Sequence, residues 1–372
     1  MESKAQGSPH YRILHTETSE GWGGQEIRVF REMEAMRERG HQLFLAAPAK
    51  SKIFQKCKEA GFDVYDLKES KPRYPSTIFH FAQFLRKNEI QIVNTHSSRD
   101  GWIGGIAARL ARTPLIIRSR HIEVDYPNRF TSWIGFGILP HLVFTTSQRI
   151  TDRLIQELSL QWENVVTLPT GIDPKKFHAQ IPPHLRKIES VPQDRPLIAM
   201  ISVLRSWKGH DIFFDAIEIL EKQNIKATYW IVGGGPGEKH LHQQIESRSL
   251  PVRMLGHRED IPEILAAIDI LVLPSTGHEG VPQIILQAQA CQKAVIGSQV
   301  GGIPEVIENQ VSGLLVEKAD ASALARAMKT LIQSPELRKE LAQQGHATFQ
   351  KKHTIKKMCE KVESHYQKWI PA

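Results

Sequence analysis

Along most of this chain, short apolar runs alternate with longer stretches in which apolar positions recur every third or fourth residue. A continuous apolar run bounded by turn residues reads as a strand buried on both faces, and the longer spacing reads as a helix with one apolar stripe. The pattern predicts strands over 11–15, 42–47, 92–95, 115–118, 142–145 and 165–168. A second series is predicted over 197–203, 227–232, 252–255, 270–273, 294–297 and 313–316. Residues 26–39 are the clearest helix: Ile27, Phe30, Met33 and Met36 form one stripe and Gly40 ends it. Residues 211–223 repeat that pattern, and the tail from Ser334 onward reads as helical and basic. Strands alternating with helices imply doubly wound parallel α/β sheets, which bind ligands beyond the carboxyl ends of their strands.

The alternation is interrupted over 173–196, which is charged and holds Pro174, Pro182, Pro183 and Pro192, so it reads as a linker or hinge. A chain of 372 residues exceeds what one core usually fills, and the expected division is 1–180 and 181–354. No short-period repeat is visible. The most apolar stretch, 133–144, is broken by Pro140 and His141 and is too short to span a bilayer, so a short buried helix followed by a buried strand is expected. The start, residues 1–10, is polar and has no signal-peptide core. Three widely spaced cysteines, Cys57, Cys291 and Cys359, fit a reducing cytoplasm better than a disulfide framework or a zinc cluster.

Charge adds a little more. Hydrophobic content of 41% and charged content of 24% are those of an ordinary globular protein, and the net charge is +8. Residues 1–180 hold +6 of it. A basic first half suits an acidic substrate or peripheral contact with an anionic membrane, and equally a mildly biased solvated surface. Dense basic runs interleaved with aromatics are missing, so nucleic-acid binding is not expected.

The candidate chemistry gathers at strand ends. Gly23 and Gly24 sit in the first strand-to-helix turn, where backbone N–H groups and a helix N-terminus favour an anion, although a tight turn alone would also use them. After the seventh predicted strand come Arg205 and Lys208, placed to neutralise a diphosphate or simply to meet solvent. The run Gly233-Gly234-Gly235-Pro236-Gly237 is not a dinucleotide fingerprint, because Glu238 stands where the third glycine belongs. Glu279 lies in a polar loop after a strand, Pro282 suits a first helical turn, and Gln287 falls inside that helix. The pair suits hydrogen bonds to sugar or ribose hydroxyls, while Glu279 equally complements a helix dipole. His96 and His121 both follow strands of the first half, with Arg99, Arg118 and Arg120 nearby. An Asp-x-Asp pair after an apolar strand, HExxH, CxxC and the Gly-x-Ser-x-Gly elbow are all missing, so neither a divalent metal nor a serine nucleophile is indicated.

Taken in order, the Gly23-Gly24 turn, Thr95-His96, His121, Arg205/Lys208-Gly209, Gly233–Pro236, Glu279…Gln287 and Gly301-Gly302-Ile303-Pro304-Glu305 resemble the retaining GT-B glycosyltransferases of family 4. The likeness covers nearly the whole chain. It implies two Rossmann-like domains facing across a cleft, a nucleotide-diphosphate sugar as substrate and no cofactor or metal. It implies that Arg205 and Lys208 hold the diphosphate, that Gly23 or Gly24 approaches it, and that His121, Lys208 and Glu279 serve catalysis. Gly234, His257, Arg258, Val281, Gln283 and Gln287 would complete the donor site, with His96, Arg99 and Arg120 on the acceptor side. The helix 355–372 would return to the first domain.

Three positions depart from the family pattern. Gln287 replaces its second glutamate, Ser202-Val203-Leu204 replaces its Gly-Arg-Leu start with Arg205 shifted along, and Pro282 replaces a common glycine and removes an N–H. The implied function is retaining transfer of a sugar, from a UDP-sugar first and a GDP- or ADP-sugar as alternatives. Its acceptor would be a glycan or lipid-linked hydroxyl, in envelope polysaccharide or lipopolysaccharide synthesis at the inner face of the membrane. An epimerase of the same fold and a catalytically weak nucleotide-sugar binder stay open. A nicotinamide dehydrogenase is disfavoured by the broken glycine pattern.

Overall fold

The computed structural model describes residues 10–68, 74–123, 125–126 and 128–371; residues 1–9 of the polar start lie outside the described residues. The chain divides into two compact units, one formed by Met1–Pro169 with Ile355–Ala372 and the other by Thr170–Thr354. Each is a parallel sheet with helices on both faces, as the alternating pattern implies.

The first sheet has seven strands: β1 (Arg12–Thr16), β2 (Gln42–Ala47), β3 (Asp63–Asp66), β4 (Ile92–Thr95), β5 (Leu115–Arg120), β6 (Leu142–Thr145) and β7 (Val165–Thr167). Their order is β3-β2-β1-β4-β5-β6-β7. The direction of winding reverses between β1 and β4, where Thr16 lies opposite Thr95. Alternate residues of β1 explain the two faces: Ile13 packs with Val29, Met33, Met358 and Val362, whereas Leu14 packs with Phe81, Val93 and Ile103. The last helix, Ile355–Trp369, buries Met358, Cys359, Val362 and Tyr366 along one stripe. Arg39 and His41 fasten it by bonding Glu363 at 2.7 and 3.0 Å.

The second sheet has six strands: β8 (Leu197–Ile201), β9 (Thr228–Val232), β10 (Val252–Met254), β11 (Ile270–Leu273), β12 (Ala294–Ser298) and β13 (Leu314–Val316), in the order β10-β9-β8-β11-β12-β13. Its reversal falls between β8 and β11, with Ile270 opposite Ile198. Leu197, Ala199 and Ile201 face one helical layer, and Ile198 and Met200 the other.

Three expectations need correction. The edge strand β3 was not expected, because its sequence Asp-Val-Tyr-Asp carries two apolar residues and only one face has anything to cover. The segment 173–196 is not a free linker: it contains the helix His184–Ile188, inserts Phe177 and Val191 into the second unit's core, and ties Arg186 to Asp269 at 2.8 Å. Its prolines shape a packed connection. The helix before β6 spans Arg129–Trp133 and runs into a π-helical turn, Ile134–Ile138, and of these ten residues only Gly135 and Phe136 are buried. Phe130, Trp133 and Ile138 are 68%, 41% and 45% exposed.

Candidate active site

In the second unit, four loops converge at the carboxyl ends of β8, β9, β11 and β12. The loop after β8 carries Arg205 and turns through Ser206–Lys208 into the helix His210–Lys222. Leu204 accepts an N–H from Gly237 at 2.9 Å and donates its own to Gly234 at 3.1 Å, which ties the loop to the one after β9. Gly233 makes that approach feasible: at φ +144°, a methyl group there would sit 1.9 Å from the Ser202 carbonyl oxygen. The Thr276 N–H donates to the Trp207 carbonyl at 2.8 Å, joining the loop after β11. Gly301, at φ +56°, lets the loop after β12 press against Glu279, whose carbonyl oxygen would lie 2.1 Å from a side chain placed there.

These contacts bring together Lys208 and Glu279, two residues singled out from the sequence. The Lys208 ammonium donates to Glu279 Oε1 at 2.6 Å, and the Ser275 hydroxyl donates to the same oxygen at 2.6 Å. Glu279 is buried and Lys208 partly so. A cation and a carboxylate neutralise each other at the mouth of the sheet, where a ligand with opposite charges could replace either. Arg205 is exposed and lies over the Trp207 ring at 5.1 Å, and Trp207 meets His278 edge-on at 5.4 Å.

The other donor-side residues divide. His257 borders the Gly234 loop, since a methyl group at Gly234 would meet its Cβ at 3.4 Å. Val281 is buried, and Pro282 is the N-cap of the helix Gln283–Ala290, one position earlier than its expected place in the first turn. Gln283 and Gln287 are half-buried and one turn apart on one face of that helix. Arg258 is committed elsewhere, with two bonds to Asp260 at 2.8 and 2.5 Å and Glu189 at 3.7 Å.

In the first unit, the polar residues form a connected interior network at the reversal of the sheet. His15 Nδ1 bonds His96 Nε2 at 2.9 Å, and His96 Nδ1 bonds His121 Nε2 at 2.9 Å. All three rings are buried, and burial holds His15 down at about 3 and His96 and His121 well below the ordinary histidine value. Both nitrogens of His96 are therefore engaged within the protein, which leaves none for the acceptor contact expected of it. Asp100 accepts from the N–H groups of His96 and Ser97 at 2.9 and 2.8 Å and from Thr16. Arg118 crosses Gly101, where a side chain would collide with it, and stacks over Phe136 at 4.9 Å. Arg120 lies over Tyr126 at 5.8 Å, and Arg99 is exposed at the start of the helix Ser98–Ala111.

At the first turn, the Gly23 N–H donates to Glu26 at 2.8 Å, so in this state the side chain of Glu26 occupies the donor expected to face a ligand. Gly24 opens the helix Gly24–Glu38. Glu17, which the sequence reading passed over, is fully buried at the end of β1 and accepts from the Thr18 and Ser19 N–H groups. Burial, and next the charge of Asp100, push its carboxyl up to about 7. Its only sequence signal was a carboxylate immediately after an apolar strand. His15 and Asp100 were hidden for a similar reason, since each is one polar letter inside an otherwise regular element. Among the described residues, no group of three or more His, Cys, Asp or Glu side chains is arranged to hold a metal ion.

Comparison with known proteins places this geometry. The family described as Glycosyl transferases group 1 matches residues 183–348, and Glycosyltransferase Family 4 matches residues 22–176. The chain is 30% identical over 304 residues to a GDP-mannose-dependent monoacylated alpha-(1-6)-phosphatidylinositol monomannoside mannosyltransferase of Corynebacterium glutamicum, covering 73% of this chain and 75% of that protein. It is 28% identical over 267 residues to the UDP-Gal:alpha-D-GlcNAc-diphosphoundecaprenol alpha-1,3-galactosyltransferase of Escherichia coli, 68% of this chain and 69% of the relative. Anabaena HepE, solved in complex with UDP-glucose, superposes with a TM-score of 0.85 at 22% identity over 96% of this chain and 100% of its own. With both sheets, their loops and these matches in agreement, the chain belongs to the GT-B glycosyltransferases of family 4.

Proposed function

We propose that this enzyme moves a sugar from a nucleotide-diphosphate donor to a hydroxyl of a lipid-linked glycan, without a metal and with retention at the anomeric carbon. The observation that carries the reading is the Lys208–Glu279 pair enclosed by four strand-end loops. When the diphosphate arrives, Lys208 turns from Glu279 to the phosphates with Arg205, and Glu279 is released to accept hydroxyls of the sugar. The anomeric C–O bond to the diphosphate breaks, the acceptor oxygen takes its place on the same face, and the acceptor's proton leaves with the diphosphate. Fixed charge beside the departing oxygen is commonly the largest catalytic contribution. Gln283 and Gln287 present amides to the ribose, His257 borders the base, and His121 acts on the transferred sugar.

A UDP-sugar is the first choice of donor, supported by the named donor of the Escherichia coli relative and the ligand of HepE; the Corynebacterium relative keeps a GDP-sugar as the alternative. The lipid-linked acceptor is supported by the acceptors those relatives are named for, and we place the reaction in envelope glycan synthesis at the cytoplasmic face of the membrane. Among the described residues no helix is long and apolar enough to cross a membrane. The exposed face of the first unit suits peripheral contact instead. Phe130 stacks on Trp133 at 6.5 Å, Trp102 lies 3.8 Å from where a side chain at Gly135 would stand, and Arg129, next to Phe130 in the chain, is exposed. Aromatic rings with a flanking arginine fit an anionic interface.

One assay tests the reading. Labelled UDP-, GDP- and ADP-sugars are offered with an undecaprenyl-diphosphate-linked sugar in anionic vesicles or in detergent. Transfer from a UDP-sugar, with a preference for vesicles that Phe130→Ser/Trp133→Ser removes, is the expected result. Absence of transfer from every nucleotide sugar would overturn the proposal.

A further inference from the structure

The three-histidine chain has a direction. A neutral imidazole holds one ring proton, so each of the two ring-to-ring bonds must have one nitrogen donating and the other accepting. Two patterns satisfy both bonds. In one, His15, His96 and His121 all hold the proton on Nδ1, and His121 Nε2 accepts from His96. In the other, all three hold it on Nε2, and His121 donates to His96.

The far end of the chain decides between them. His15 is fully buried, and its Nε2 has no hydrogen-bond partner among the described residues. The second pattern would place an N–H at this nitrogen, and a buried donor without an acceptor keeps the full cost of its desolvation. The first pattern leaves only a lone pair there. Burial keeps all three rings neutral, so a second proton does not remove the choice. At the other end, His121 retains 8% of its surface, and its Nδ1 has no partner among the described residues.

We infer that His15 and His96 are positioning residues that lock His121 in the Nδ1–H tautomer, so that it meets a substrate oxygen as a hydrogen-bond donor and not as a base. The substrate half of this statement rests on the proposed role of His121; the tautomer does not. Relayed through two bonds, the identity of the group at position 15 sets what position 121 offers.

Nitrogen-15 NMR of histidine-labelled full-length protein reads each ring directly, with His121→Gln assigning the signal. His121 is expected to be protonated at Nδ1 in the wild type and in His15→Asn, whose amide N–H stands in for Nδ1–H. In His15→Asp the carboxylate accepts from His96, the chain reverses, and His121 becomes the Nε2–H tautomer. Turnover should then fall about tenfold or more in His15→Asp, the value of one hydrogen bond, and be largely rescued in His15→Asn. An Nε2–H signal for His121 in the wild type overturns the inference even if a variant fails to fold. So do identical His121 signals and turnover in the two variants. Should the wild-type protein transfer no sugar while His121 shows Nδ1–H, the functional proposal fails and the tautomer assignment stands.

Discussion

Lys208→Ala is expected to lower kcat/KM by roughly 10²–10³, the usual consequence of removing one strong charged donor from a leaving group. The structure adds a second effect that the sequence did not predict. Lys208 is bonded to buried Glu279 before any ligand arrives, so the variant leaves that carboxylate with Ser275 as its remaining side-chain donor. Stability should fall by about 1–3 kcal/mol, because an unpaired buried group retains its desolvation cost. Glu279→Gln separates the two effects: its amide oxygen still accepts from Lys208 and Ser275, so the loop stays folded while the charge is gone. Steady-state kinetics beside denaturant unfolding would show both. Wild-type turnover in Lys208→Ala would remove the residue from the mechanism.

Gly301→Ala is expected to damage the second unit severely. Two costs combine there. The left-handed backbone costs alanine about 1–2 kcal/mol, and the added methyl would lie 2.1 Å from the Glu279 carbonyl oxygen, a backbone atom that cannot rotate away. Overpacking of this kind adds about 1–3 kcal/mol. Gly256→Ala isolates the first cost, because Gly256 has φ +65° with nothing within 4 Å of the new methyl. The expected order of unfolding midpoints is wild type, then Gly256→Ala, then Gly301→Ala. Activity should collapse only in Gly301→Ala, since relieving the clash moves Glu279 away from Lys208. Equal stability and activity in the two variants would show that the loop yields freely.

Much of this was legible in the letters because parallel sheets buried on both faces write themselves as continuous apolar runs. Leu197 to Ile201 and Ile270 to Leu273 are such runs, and each appears as a strand. The edge strand Asp63–Asp66 was not legible, since a strand with one partner and half-exposed side chains needs no apolar run. Prolines misled the reading of 173–196: they limit backbone conformation, but they do not prevent Phe177 and Val191 from entering a core. Trp133 and Ile138 misled it the other way, because apolar character alone does not say which face a short helix buries.

The site divides along the same line. Lys208 and Glu279 stood out in the sequence because charged residues at strand ends contrast with apolar runs, yet nothing in their spacing indicated the 2.6 Å contact between them. Arg258 looked equally suitable but sits two residues before Asp260, a pairing that local geometry makes and a motif does not reveal. His15 and His96 illustrate the deeper limit. The residues are far apart in sequence, and only the adjacency of β1 and β4 joins them into a chain that ends at His121.

Whether the loops at the head of the second sheet hold a diphosphate can be measured without knowing the sugar or the acceptor. UDP and uridine, titrated calorimetrically into wild-type protein and into Lys208→Ala, differ only in the two phosphates. Tighter binding of UDP by tenfold or more in the wild type, with the difference largely lost in Lys208→Ala, is the predicted result. Equal affinity for UDP and uridine in the wild type, or an undiminished preference for UDP in the variant, would contradict it.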